Sequence, residues 1–198
     1  MAIESSRKLF RKGNLFMKKI KSILSGCLGL LFLLGADQAS KYWAVENLKG
    51  SAGIPVIPGV FEFYYLENDG AAFGMLDKIQ GVFILTAVLI LLLCLYTFLR
   101  LPEDRRYRPL KILCVVIGAG AAGNMLDRLM FGYVIDFLYV SLIDFPVFNL
   151  ADCYICIGVA VFALLFLTYY KNDSFAFLLP GKKGEEERIG GRRNDGER

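Results

Sequence analysis

Long apolar runs, separated by short charged or turn-rich stretches, dominate this chain. A helix needs about 20 mostly apolar residues to cross a bilayer. Four stretches meet that requirement: about 23–45, interrupted by Asp37 and Lys41; 81–99, without charge; 112–130, apolar as far as Leu126 before Asp127 and Arg128; and 153–170, again uncharged. The stretch between the first two reads differently. Pro55, Pro58 and several Gly break helices, while Val60-Phe61-Glu62-Phe63-Tyr64-Tyr65 is rich in strand-forming residues. The pattern predicts a mainly α, polytopic membrane protein with four transmembrane helices and a small β element over about 46–76.

Outside the spans, residues 1–17 read as an N-terminal extension, because Met17-Lys18-Lys19-Ile20 would make an ordinary start. Residues 172–198 form a charged tail with the composition of a disordered segment. Composition agrees with a membrane protein. Of 198 residues 56% are hydrophobic, and the mean hydropathy is +0.48. No His is present, which excludes Ser-His-Asp triads, Cys-His dyads and HExxH zinc sites.

The net charge of +4 is small, but its distribution is informative. Seven Lys and Arg lie in residues 1–22, five in the linker 100–111 and seven in the tail from Lys171, against four (Lys41, Lys49, Lys78 and Arg128) in the other segments. Cytoplasmic loops carry the excess of Lys and Arg. Both termini and the linker are therefore expected in the cytoplasm, with 46–80 and 127–152 on the opposite side.

Ionisable groups at membrane depth are costly and invite a functional reading. Here Asp37, Asn68, Asn124, Asp127, Arg128, Asp136, Asn149 and Asp152 all map to the outer face. Asp37 and Lys41 are four apart, on one helix face, and suit an interfacial ion pair. Asn68-Asp69-Gly70 reads first as a turn. Asp136 and Asp152 each sit in an apolar setting, which raises a carboxyl pKa by desolvation. Brought together, two such groups would share a proton and act as acid and base. Spacing leaves open whether they meet. Asp144, in Asp-Phe-Pro, is a rival that reads as a loop residue.

Three patterns are set aside. Gly118-x-Gly120-x-x-Gly123 lies inside a spanning helix, where small residues suit close packing and no dinucleotide fold surrounds them. Cys153-x-x-Cys156 opens a spanning helix outside any thioredoxin-like unit. Leu24-Ser25-Gly26-Cys27 looks like a lipoprotein precursor's cleavage box, yet its apolar run follows the Cys where a signal peptide would place it before.

Five blocks, in order, resemble the bacterial lipoprotein signal peptidases, or signal peptidase II: Asp37-Gln38-x-x-Lys41, Asn68-x-Gly70-Ala71-Ala72-Phe73, Gly120-x-x-Gly123-Asn124-x-x-Asp127-Arg128, Val134-x-Asp136-Phe137 and Phe148-Asn149-x-Ala151-Asp152. The resemblance covers about residues 18–171. It implies an aspartic endopeptidase of the inner membrane with an extracytoplasmic β cradle, cutting lipid-modified prolipoproteins before the diacylglyceryl Cys. It implies a catalytic pair Asp136 and Asp152, with Asp127 the alternative to Asp136. Asp37, Lys41, Asn68, Gly70, Asn124, Arg128, Asn149 and Ala151 become supporting or substrate-binding positions. The expected partners are the prolipoprotein, membrane phospholipid and the family inhibitor globomycin at the dyad, with no cofactor, metal or nucleic acid. The alternative function is a small ion- or proton-coupled membrane transporter, which the one-sided placement of the polar groups disfavours.

Overall fold

A computed structural model describes the backbone of residues 2–70 and 76–170. Its elements are α1 (Ala2–Leu48), β1 (Ile54–Ile57), β2 (Phe61–Asn68), α2 (Leu76–Arg100), α3 (Arg108–Phe131), β3 (Val134–Tyr139) and α4 (Leu150–Thr168), with short 3-10 turns at Arg105–Tyr107 and Ser141–Ile143. The candidate spans are Gly13–Leu48, Gln80–Arg100, Arg105–Phe131 and Leu150–Thr168. Each contains or nearly matches one of the four apolar stretches. At about 1.5 Å per residue, α1 is far longer than a bilayer core, so it extends beyond the membrane. The tail and Ala71-Ala72-Phe73 lie outside the described residues.

α3 is the hub of the bundle, packing against α1, α2 and α4. Of its most apolar stretch 44% is buried, against 6% for α1 and α2 and 11% for α4. Its glycines make that possible. A Cβ on Gly120 would meet the Ala151 carbonyl, and one on Gly123 would meet the Asp37 carboxyl. α4 therefore approaches α3 at backbone distance, and on the other side Gly123 leaves room for the Asp37 side chain of α1. The outward faces are apolar, with Leu31, Phe32, Leu93 and Leu167 exposed. That inverts the soluble arrangement and suits a lipid surround.

The sheet is antiparallel in the order β1-β2-β3. β3 lies outside the predicted β segment. It starts straight after Gly132, which caps α3 in a left-handed conformation (φ 84°) and returns its N–H to the Arg128 carbonyl. Leu66 pairs with Asp136 and Asn68 with Val134. Ile135 and Phe137 pack on Ala44 and Leu48 of α1. Alternation along the strand turns Asp136 to the opposite face. Phe137 and Leu138 donate to the Phe148 carbonyl, drawing the end of the following loop back to the sheet beside the start of α4.

Candidate active site

The polar residues named from sequence converge where the sheet meets the ends of α1, α3 and α4. Asp37, Lys41, Asp127, Asp136 and Asn149 are each no more than 1% exposed. Such groups are stable away from water only when paired, and here each one is.

Lys41 forms the base of the site. Its Nζ lies 3.0 Å from Asp37 Oδ2, 2.8 Å from Asp127 Oδ2 and 3.1 Å from Asn124 Oδ1. All three ammonium protons therefore have acceptors. The expected Asp37–Lys41 ion pair is present, but it is buried and it also ties α1 to α3. The Gln38 amide donates to Asp127 Oδ1 (2.9 Å) and to Asp37 Oδ2 (3.2 Å). Asp37 Oδ1 accepts from the Ala151 N–H at 2.9 Å, and Asp127 Oδ2 from the Ile135 N–H at 3.2 Å. Thus Asp37 holds the first turn of α4, and Asp127 holds β3.

Two asparagines stand between this base and the other two carboxylates. Asn124 accepts from Lys41 and donates from Nδ2 to Asp152 Oδ1 at 2.7 Å. Asn149 Nδ2 donates to Asp136 Oδ1 (2.6 Å) and to Asn124 Oδ1 (3.0 Å). Asn68 Nδ2 donates to Asp136 Oδ2 at 2.8 Å. Gly70, at φ 77°, returns its N–H to Asn68 Oδ1 (3.1 Å), which sets the amide of Asn68.

Asn149 is also the N-cap of α4. Its Oδ1 accepts from the Asp152 N–H at 3.0 Å, and Asp152 Oδ2 accepts from the Asn149 N–H at 3.2 Å, a reciprocal capping box. One residue thereby starts α4, fixes Asp152 and hydrogen-bonds Asp136. Burial pushes the Asp136 carboxyl up, to about 6. The Asn68 hydrogen bond opposes that rise, and the nearby negative charge of Asp152 adds to it. Asp152 itself is half-buried and so accessible to water.

Arg128 stands beside the pair. It donates to the Asn124 carbonyl (3.2 Å), its guanidinium lies 4.6 Å from the centre of the Phe83 ring, and Asp152 and Asp136 are within electrostatic reach. Asp144 lies apart, on an exposed turn with φ 50°, accepting from the Tyr139 hydroxyl at 2.6 Å. All five cysteines are free thiols. Among the described residues no group of three or more Cys, Asp or Glu is arranged to hold a metal ion.

The family model described as signal peptidase (SPase) II matches residues 29–180. The chain belongs to the signal peptidase II family. Signal peptidase II enzymes are aspartic peptidases, and this chain is a membrane-embedded member of that class. Lipoprotein signal peptidases of Streptococcus pyogenes serotype M1 and of serotype M5 strain Manfredo are each 35% identical to it over 159 residues, covering 80% of this chain and 99% of theirs. Two solved structures, both described as bacterial membrane enzymes, superpose with TM-scores of 0.66 and 0.63 at 29% and 31% identity. They cover 75% and 76% of this chain, which covers 96% and 93% of them. Signal peptidase II membership supports the peptidase reading and lends nothing to the transporter alternative.

Two contributors were not singled out from sequence. Gln38 carries no charge and so little signal in the sequence, although its amide joins both carboxylates of the base. Phe83 sits in a wholly apolar run, where nothing distinguishes an aromatic that faces Arg128 from one that faces lipid.

Proposed function

We propose that Asp136 and Asp152 are the catalytic pair, and that the protein removes the signal peptide of lipid-modified prolipoproteins by cutting before the diacylglyceryl Cys. The observation that carries the assignment is the shared contact with Asn149, which binds one carboxylate through its side chain and the other through its backbone. Asp127, the alternative to Asp136, is instead ion-paired with Lys41 and also accepts from Gln38 and the Ile135 N–H, which suits a carboxylate that holds the base of the site together.

In this reading Asp136, held above the usual carboxylate range, carries the proton of the pair. Asp152 takes a proton from water, which attacks the scissile carbonyl, and Asp136 protonates the departing nitrogen. Neither a cofactor nor a covalent intermediate is required by that route. Asn68, Asn124 and Asn149 keep both carboxylates oriented, which general acid–base chemistry needs. Arg128 steadies the site or meets a lipid phosphate, because a guanidinium stays charged. The family inhibitor globomycin would occupy the same pair.

The excess of Lys and Arg supports cytoplasmic termini and linker and an outward-facing sheet. The substrate would then arrive laterally with its lipid anchor in the bilayer, which removes part of the entropic barrier of encounter. The test is a gel-shift assay with purified protein and a purified precursor, lipid-modified or not. Conversion of only the lipid-modified form is expected. Equal cleavage of both forms, or of neither, would contradict the proposal.

A further inference from the structure

At the end of the bundle away from the carboxylates, a cavity of about 1060 Å³ opens between α1, the end of α2, the linker and the first half of α3. It is polar at one end and apolar further in. The polar end carries Lys18, Lys21, Arg105, Arg108 and Lys111 against Glu103 and Asp104, an excess of three positive charges. Lys111 is spoken for: it is buried, 2.5 Å from Glu103 and 3.1 Å from Ser22 Oγ. Asp104 accepts from the Arg106 N–H at 2.9 Å, capping the turn. The remaining four cations are exposed, and none forms an ion pair among the described residues.

The apolar part is walled by Gly29, Phe32, Phe98, Ile112 and Val115, with the Phe98 ring packed directly on Gly26. Lys18 and Asp37 are separated by about 28 Å of helix, so the cavity and the peptidase site are distinct. We propose that this cavity binds an anionic phospholipid. Its phosphate lies among Lys18, Lys21, Arg105 and Arg108, and the upper part of an acyl chain lies along Gly29, Phe32 and Ile112. Charge complementarity selects an anion, since basic pockets between spanning helices suit anionic head groups. The apolar throat, flanked by membrane-spanning helices, selects a lipid over a free phosphate. The volume lies just above the usual range for small-ligand sites, about 300–1,000 Å³, as a phospholipid requires.

The test is lipid retention by the purified full chain, read by native mass spectrometry after exchange into a neutral detergent. Phosphatidylglycerol and phosphatidylcholine are added separately. The protein should retain phosphatidylglycerol at least about tenfold better. The pair Arg105→Gln with Arg108→Gln should reduce that preference by about tenfold or more. The pair Lys19→Gln with Arg106→Gln changes net charge equally, but neither residue lines the cavity, and it should leave retention unchanged. Gly29→Leu fills the throat without altering charge and should lose bound phosphatidylglycerol. Millimolar inorganic phosphate should not displace the lipid. Equal losses in the two charge pairs, retention in Gly29→Leu, or displacement by phosphate would each overturn the proposal. The readout does not use cleavage, so it can fail while the peptidase assignment stands.

Discussion

A single ammonium group ties together the centre of this site. Lys41 is within 3.1 Å of two carboxylates and an amide oxygen, almost without exposure. Removing one member of a buried ion cluster strands the others, typically at about 3–5 kcal/mol. Lys41→Met should therefore lower stability by that order, read as a loss of thermal midpoint in detergent. A loss below about 1 kcal/mol would mean that water reaches Asp37 and Asp127.

The residue scale also sets a pH dependence. With Asp136 raised to about 6, the proton of the pair is lost as pH rises through that value, so kcat/KM should fall on the alkaline side. Asn68 donates to the ionised form and opposes the rise. Asn68→Ala should thus move the alkaline limb to higher pH, whereas a limb that stays or moves down would remove Asp136 from the titration. Most of these side chains were legible in the sequence because charged and amide residues are rare in apolar runs. Their pairings were not. The i, i+4 spacing of Asp37 and Lys41 suggested a local pair, but nothing in it showed that Asp127 and Asn124 complete the shell of Lys41.

At the scale of elements, α3 and α4 are held at backbone distance. A Cβ on Gly120 would fall against the Ala151 carbonyl, the residue before Asp152. Overpacking of this kind usually costs about 1–3 kcal/mol. Gly120→Ala should lower the thermal midpoint by that order and reduce cleavage further, because the start of α4 must shift. Unchanged stability and activity would show that the helices have room to part. The helices were legible from length and hydropathy, and β1 and β2 from Pro, Gly and aromatic patterning. β3 was missed although Val134-Ile135-Asp136-Phe137 is strand-like. Its four buried positions do not alternate, since one face packs on α1 and the other carries Asp136 into the site. The capping box of α4 is also faint in the sequence. Asn149-x-x-Asp152 has its spacing, with Asp in the place usually held by Glu or Gln.

For the whole molecule, the charge bias predicts both termini on one side. Reporter fusions after Lys49 and Asp144 should report the outside, and fusions after Arg105 and Asn172 the cytoplasm. One reversed fusion in a well-expressed protein would put the carboxylates in the wrong compartment. The bundle is inverted, apolar outward and polar at its sheet end, and that inversion could be read from sequence. The separate cavity at the linker end could not, because its walls come from two stretches, 18–33 and 98–116, that lie far apart in the chain.

The most direct measurement of the central claim follows conversion of a lipid-modified precursor by Asp136→Asn, Asp152→Asn and Asp127→Asn, with each protein shown to be folded in the membrane. Asn keeps the volume of Asp and some of its hydrogen bonds but cannot exchange the catalytic proton. General acid–base participation contributes about 10²–10⁴-fold, so Asp136→Asn and Asp152→Asn should each lose at least that much. The double variant should be little worse than either single one, since residues acting as a unit are non-additive. Asp127→Asn should instead lose stability and keep measurable cleavage. If Asp127→Asn is inactive though folded, while Asp136→Asn retains more than roughly a tenth of the rate, the catalytic pair is Asp127 with Asp152 and the assignment to Asp136 is wrong.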